Sequence, residues 1–332
     1  MSFGIRSGAR LALYFVMLVG LFLFVGLRFR VGCDWGNYLG HYNGQGQFMA
    51  FEDAAAQSEP AYWLLLVSVI KLELPYPWLN IATAAIFFTG LHAVARRQPD
   101  PLQYLALSFP VLMVNIAMSA TRQTLAMGVL YFALLAFIEM RTMRYCLLVL
   151  LATAFHNSAV IFFALAPLIG HITRDRIMLA VLMSGPLLVV LGSSSLADQY
   201  TSAYVGTDME AAGAPYRVGL LFLTGLLQLF VLRKKWAKVW PRDNVLVLIG
   251  SITMLLILPI TFYSSVIGDR FAYYLIPIQL MTLSRAPLLY SNQNRSLLTF
   301  APQLLLGVFL LVWTTYSSMF ALCYSNYQVW GW

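Results

Sequence analysis

The sequence predicts an all-α polytopic membrane protein, and three observations carry that prediction. Of the 332 residues, 60% are hydrophobic and only 10% are charged, against roughly a quarter charged in an ordinary soluble domain. The mean hydropathy is +0.75. The apolar residues also fall in runs on the scale of the roughly 20 residues that cross a hydrocarbon core about 30 Å thick. Such a composition excludes a soluble globular enzyme, a disordered chain and a secreted disulfide scaffold. Roughly ten to twelve spans with short loops fill the length. No internal repeat, low-complexity tract or linker divides it, so residues 1–332 read as a single integral-membrane domain.

The first run, 10–27, follows Arg6 and Arg10 as a signal sequence does. Leu27 leads into Arg28-Phe29-Arg30 rather than a small-residue cleavage site, so the run reads as an uncleaved first helix. Further runs, broken by charge, Pro or Gly, lie at 77–95, 102–119, 123–139, 144–156, 158–171, 177–192, 217–232, 245–263, 271–284 and 298–322. A shorter one at 61–74 ends in Leu74-Pro75-Tyr76-Pro77. Treated as re-entrant or interfacial, it leaves about eleven transmembrane helices plus one short helix. With the N-terminus inside, Arg28, Arg30, Lys71, Arg122, Arg217 and Arg270 map outside, and the rest of the 21 Lys and Arg residues map inside. That is the positive-inside bias; letting 61–74 cross would invert every later loop and abolish it. The net charge of +8 follows from this excess and points to membrane orientation rather than nucleic acid.

Two segments depart from a plain bundle. Residues 144–171 must enter and return in two limbs too short for full spans, with His156 and Asn157 at the turn. Residues 61–74 are equally short. Broken helices at membrane depth are tolerated where they are buried in protein or line a cavity, so both hint at a site. Two outer loops are long, 28–60 and 193–216. The second is rich in Ser, Gly and Asp, runs through Ser193 to Ser195, and reads as a mobile lid.

Ionisable residues near membrane depth are expensive and therefore functional candidates. Asp34, Glu59, Arg122, His156, Arg217, Asp269 and Arg270 all map to outer helix ends. Arg122 starts a helix, where a guanidinium fork and free backbone N–H groups suit a phosphate or diphosphate; it equally suits an arginine snorkelling to headgroups. Arg217 and Arg270 start two more spans, as anion ligands or headgroup anchors, and Asp269 is placed to neutralise Arg270. His156 in Phe155-His156-Asn157 is a general base, a substrate hydrogen-bonder or a structural one. Asp34 and Glu59 are candidate acid–base or hydroxyl-orienting carboxylates; their structural alternatives are a turn before Trp35-Gly36 and a cap before Pro60. Trp35, Tyr38, Tyr42, Tyr62, Tyr216, Tyr273, Tyr324, Tyr327 and Trp330 are candidates for sugar stacking or for an interfacial belt, and Gln123 and Tyr274 are candidate substrate contacts. No H-E-x-x-H, G-x-S-x-G, Walker A or Asp-x-Asp motif is present, which argues against zinc hydrolysis and nucleotide or metal–nucleotide-sugar chemistry, and no cofactor is expected.

Read in order, Gly32-Cys33-Asp34-Trp35…Tyr38, Glu59-Pro60-x-Tyr62, Arg122-Gln123-x-x-Ala126, Phe155-His156-x-Ser158-Ala159 and Asp269-Arg270-x-x-x-Tyr274 resemble the EpsG/Wzy-type polysaccharide polymerases. The resemblance spans most of the chain. Its specific part is the Arg-Gln-x-x-Ala and Phe-His-x-Ser-Ala pair. Cys33 stands where the family often has a small polar residue. The resemblance implies a GT-C-like, metal-independent membrane glycosyltransferase in the bacterial inner membrane, with its site facing the periplasm. It implies undecaprenyl-diphosphate-linked oligosaccharides as donor and acceptor, membrane lipids around them, and a chain-length co-polymerase as a further partner. By analogy Arg122, Arg217 and Arg270 hold the diphosphate, and His156, Asp34 or Glu59 activates the acceptor hydroxyl. A glycan ligase of related mechanism, a membrane acyltransferase using His156, or a lipid-linked oligosaccharide transporter are the alternatives. Cys33 and Cys323 both map outside, where an oxidising periplasm permits a disulfide; their positions in the sequence do not pair them.

Overall fold

The structure, a computed structural model, describes residues 7–193, 213–290 and 292–331. Helix dominates, and a single two-stranded antiparallel pair is the only sheet among the described residues. Most of the predicted loop 193–216, with Ser194 and Ser195, lies outside the described residues, so the lid expectation is not addressed.

Six helical segments among the described residues are long and apolar enough to cross a membrane: Gly8–Gly26, Pro77–Ala95, Thr121–Ile138, Ala214–Val239, Asn244–Tyr263 and Arg295–Tyr316. Several other predicted runs fold into shorter apolar helices. Run 61–74 becomes Pro60–Lys71, run 102–119 becomes Pro101–Ala117, and the 144–171 hairpin becomes Thr142–Phe155 and Asn157–Leu168. Run 271–284 is broken at Tyr274 and Leu275, leaving a ten-residue helix, Ile276–Arg285. Proline explains part of this, since Pro60, Pro77, Pro101 and Pro277 all sit at helix starts, where the missing N–H is harmless. Loop 28–60 is not irregular but folds into short helices, beginning with Trp35–Asn43.

The chain divides into two compact units. The first comprises Met1–Tyr131, Ala154–His156 and Ala301–Trp332. Within it α1 (Ser7–Gly26) packs on a later helix, Pro77–Ala95. After α1 come β1 (Arg28–Phe29), α2 (Trp35–Asn43), α3 (Gln45–Phe48), α4 (Phe51–Ala55) and α5 (Pro60–Lys71). Next are α6 (Pro77–Ala95), α7 (Pro101–Ser108), which continues as a π-helical segment to Ala117, and α8 (Thr121–Ile138). In α6, Gly90 faces Gly128 of α8; a Cβ on Gly90 would collide with the Gly128 carbonyl, and one on Gly128 would come within 2.8 Å of the Ile86 carbonyl oxygen. Small residues at such a crossing let backbones approach and gain packing energy that lipid cannot supply.

The C-terminal tail closes this unit. Strand β2 (Gln328–Val329) pairs with β1, Arg28 opposite Val329. The Tyr327 hydroxyl donates to the Phe24 carbonyl at 2.5 Å, the Trp330 N–H to Leu27 at 2.8 Å, and buried Arg28 to Val25 at 2.8 Å. Carbonyls at the end of α1 that lack intrahelical partners are thereby satisfied. A disulfide joins Cys33 to Cys323, with Cα atoms 4.9 Å apart.

The second unit comprises Phe132–Thr153 and Asn157–Phe300. It holds α9 (Thr142–Phe155) up to Thr153, the 3-10 segment Asn157–Leu168, α10 (Arg174–Ser193) and α11 (Ala214–Leu226). Helices α12 (Arg233–Val239), α13 (Asn244–Tyr263), α14 (Ser265–Tyr273) and α15 (Ile276–Arg285) follow. Helix α11 packs on α13 and α14. Buried Gln279 donates to Thr224 at 3.0 Å, and Arg285 pairs with Asp243 beneath the rings of Trp236 and Trp240. Helix α16 (Asn292–Tyr316) links the second unit back to the first. Its apolar window is 6% buried, against 83% for α8. An apolar helix left so uncovered by protein is one bordered by lipid.

Gly90→Val should destabilise the protein by about 1–3 kcal/mol through overpacking at the α6–α8 crossing. Gly20→Ala, where a Cβ meets nothing within 4 Å, should be nearly silent. Thermal midpoints of the detergent-solubilised variants check the pair; equal midpoints would refute the close-packing account.

Candidate active site

In the first unit Glu59 sits at the N-cap position of α5, immediately before Pro60. Its side chain makes no cap hydrogen bond; only its carbonyl serves the helix start, accepting from the Tyr62 N–H at 3.1 Å. The carboxylate is 2% exposed and bridges two groups. One oxygen accepts from Nη1 of Arg122 at 2.6 Å and the other meets Nδ1 of His156 at 2.8 Å. Of the two expectations for Glu59, the cap is not what the side chain does.

Arg122 lies in the first turn of α8. Its backbone N–H donates to the Tyr38 hydroxyl at 3.3 Å, so a tyrosine of α2 serves an orphan donor of this helix start. The guanidinium carbon stands 5.9 Å from the Tyr38 ring centre and 5.7 Å from that of Tyr62. Carboxylate and ring faces together fix the fork. Its Nε is buried without a hydrogen-bond partner, while the side chain as a whole is 35% exposed. A cation so directed at a helix N-terminus is built to meet an anion.

His156 occupies the single-residue break between α9 and the 3-10 segment, where the sequence places the turn of the hairpin. An ionised carboxylate can only accept, so it is an Nδ1–H that faces Glu59. When neutral, an imidazole held by Nδ1 has the Nε2 lone pair with which general bases work.

Of the remaining expected residues of this unit, Tyr38 touches Arg122. Tyr38 is buried, with its hydroxyl on α8 and its ring beside Arg122. Gln123 is buried in the first turn of α8. Asp34 is half-buried and its N–H donates to Ser119 at 3.4 Å, just before α8. Trp35 packs edge-on against Tyr76, ring centres 4.7 Å apart. Two further residues belong here: Tyr62, an outer aromatic that the sequence offers for sugar stacking or an interfacial belt, and His41, to which it gives no role. Tyr62 flanks Arg122 and shares its hydroxyl with Nδ1 of His41 at 3.0 Å. Their signals were local: Tyr62 lies three residues after Glu59, and His41 three after Tyr38 on one face of α2. Burial holds the His41 imidazole below the ordinary histidine range; Arg122 adds to that shift and Glu59 opposes it.

The second unit has its own charged cluster. Arg217, at the start of α11, grips Asp269 of α14 with Nε and Nη2 at 2.8 and 2.7 Å. Its guanidinium carbon is 5.4 Å from the Tyr273 ring centre. The structure thus gives Asp269 a bidentate pair with Arg217, where the sequence places it to neutralise Arg270. Arg270 is half-buried on α14, Tyr216 is 71% exposed, and Tyr274 shares a hydrogen bond with Ser158 at 2.9 Å. Among the described residues no group of three His, Cys, Asp or Glu side chains is placed to hold a metal ion.

The EpsG family profile matches residues 11–329. No curated protein and no solved structure matches the chain.

Two outcomes follow from this geometry. Asp269→Asn should cost about 3–5 kcal/mol, because it strands the buried Arg217 charge, while replacing both partners with apolar residues recovers most of the loss. Denaturation of the single and double variants measures it. For His41, a depressed folded pKa means that the unfolded chain binds its proton more readily. Stability should therefore be lost as pH falls below about 6.5 and regained above it. Comparing thermal midpoints at acid and neutral pH, wild type should show this loss and His41→Asn should lack that part of it.

Proposed function

Since the chain belongs to the EpsG family, we propose that it is a membrane glycosyltransferase that polymerises undecaprenyl-diphosphate-linked oligosaccharide repeat units into a surface polysaccharide. The observation that carries this reading is the Glu59 bridge, which holds a directed cation and an oriented imidazole in one cluster.

The acceptor sugar hydroxyl attacks the anomeric carbon of the donor glycan. A new glycosidic C–O bond forms, and the bond from that carbon to the diphosphate oxygen breaks. His156 takes the hydroxyl proton on Nε2, and Glu59 stabilises the imidazolium that results. Arg122 and the N-terminus of α8 meet the charge gathering on the departing lipid diphosphate. In this reading arginine supplies the stabilisation, so the reaction is metal-independent, and the leaving group carries the energy. Asp34, beside the turn before α8, orients the acceptor. Arg217 and Arg270 are proposed as further anion contacts belonging to the second unit; at Arg217 a phosphate meets a pair that Asp269 has already neutralised.

The arrangement is read as about eleven spans in a GT-C-like bundle in the bacterial inner membrane. The site faces the periplasm. Two features support that side: the bias of Lys and Arg to the opposite loops, and a disulfide one residue from Asp34, since disulfides persist in oxidising compartments.

The test is reconstitution of the purified protein with lipid-diphosphate-linked repeat units, with EDTA and without nucleotide sugar. A ladder of lengthened lipid-linked glycans is expected, falling by about 10²-fold or more in Arg122→Ala and in His156→Ala. Folded protein that leaves an authentic substrate unextended would refute the polymerase and favour ligase or transporter.

A further inference from the structure

Glu59, Tyr38 and Tyr62 hold the Arg122 guanidinium, while the backbone that carries it follows a turn held both from within and from outside. The chain leaves the π-helical segment with the N–H groups of Ser119 and Ala120 on the Ile116 carbonyl, at 3.1 and 3.0 Å. Ala120, at the position that would cap α8, has no side chain able to do so. The Thr121 hydroxyl is buried without a hydrogen-bond partner. The Thr124 hydroxyl donates back to the Ile116 and Ala120 carbonyls at 3.0 and 2.8 Å, and residues 32–34 add support from outside. The Asp34 N–H donates to Ser119 at 3.4 Å. Gly32, at φ +103°, lies so close to the turn that a Cβ there would run into the Met118 carbonyl oxygen.

Residues 32–34 are fastened in turn to the C-terminal tail. The Gly32 N–H donates to the Cys323 carbonyl at 2.8 Å, and Cys33 is bonded to Cys323 through sulfur. Cys323 ends α17 (Ser318–Cys323). Beyond it the tail is anchored on α1 and β1 by Tyr327, Trp330 and β2. A continuous path therefore runs from the end of α1, through the tail and the disulfide, to the turn that carries the backbone into Arg122.

We propose that the Cys33–Cys323 disulfide is a positioning element for Arg122: it clamps residues 32–34 between the anchored tail and the 118–120 turn, and the enzyme reaches full turnover only when oxidised. The proposal rests on the reading of Arg122 as the diphosphate contact. Closing the clamp removes two electrons and two protons from the two thiols, and an external disulfide oxidant takes them up as it becomes two thiols. Cys33 is exposed, so such a reagent reaches it. Misplacement of a catalytic group by about 1 Å can cost on the order of 10²-fold in rate, so the clamp acts on turnover more than on affinity.

The experiment uses the full chain, purified without reductant. Maleimide labelling of the denatured protein should count one thiol, Cys146, and three after dithiothreitol. Reduction should lower kcat about tenfold or more while KM for the lipid-linked repeat unit changes little, and oxidised glutathione should restore kcat, which unfolding would not permit. A Cys33→Ser/Cys323→Ser double variant should match the reduced enzyme and ignore dithiothreitol. Cys146→Ser should keep the wild-type turnover, exchange and response to dithiothreitol, with its thiol counts falling to none and two. Amide hydrogen exchange at 119–124 should quicken on reduction. Three free thiols in never-reduced protein, unchanged exchange at 119–124, or undiminished kcat after complete reduction would each overturn the proposal. The exchange arm needs no turnover, so a chain that lacks polymerase activity but shows the quickened exchange would refute the role given to Arg122 and leave the clamp standing.

Discussion

A single carboxylate, that of Glu59, organises the first unit. At 2% exposure it has given up its hydration, and an ionised carboxylate removed from water is tolerated only when close partners replace that shell. Arg122 and His156 do so at 2.6 and 2.8 Å. Because the three residues come from the start of α5, the start of α8 and the break after α9, the carboxylate sets the mutual position of three chain segments far apart in sequence. It also sets their chemistry. It fixes the tautomer of the imidazole and occupies one edge of the guanidinium, leaving the buried Nε without a partner.

The short helices make this possible. Helix α5, with 12 residues, covers only about 18 Å, less than a hydrocarbon core about 30 Å thick, and begins inside protein with Glu59 2% exposed. The same holds for the limbs on either side of His156. Enclosure by protein is what permits interrupted backbone at membrane depth. Outside this core the principle reverses: α1 and α16 expose Leu11, Val16, Leu304 and Leu311, as helices surrounded by hydrocarbon can. The second unit repeats the logic of buried pairs with Arg217–Asp269 and Arg285–Asp243, each backed by aromatic rings.

Much of the site was legible because ionisable residues stand out in a chain that is only 10% charged. Glu59, Arg122 and His156 were each visible as a charge or imidazole beside a helix break. Their contact was not, since nothing in the spacing of residues 59, 122 and 156 specifies a shared carboxylate. Asp269 shows the limit of local reading. Its neighbour in sequence, Arg270, sits where a helix turns it to a different face, and the partner it meets is 52 residues away. Tyr62 stayed ambiguous for a related reason, since aromatics suit an interfacial belt and a ligand site equally well until their neighbours are known, and His41 had no helix break beside it to mark it.

The sequence by itself determined that the protein is helical, membrane-embedded and biased in its loop charges, because those properties follow from composition and from the order of apolar and charged residues. It also located the two short segments, because length against bilayer thickness is a one-dimensional quantity. Only the tertiary structure decided which charges pair, that Cys33 meets Cys323, and that the tail returns to the end of α1. These depend on which helix faces converge, and once apolar side chains face lipid as readily as protein, hydropathy carries no information about which neighbour a helix chooses.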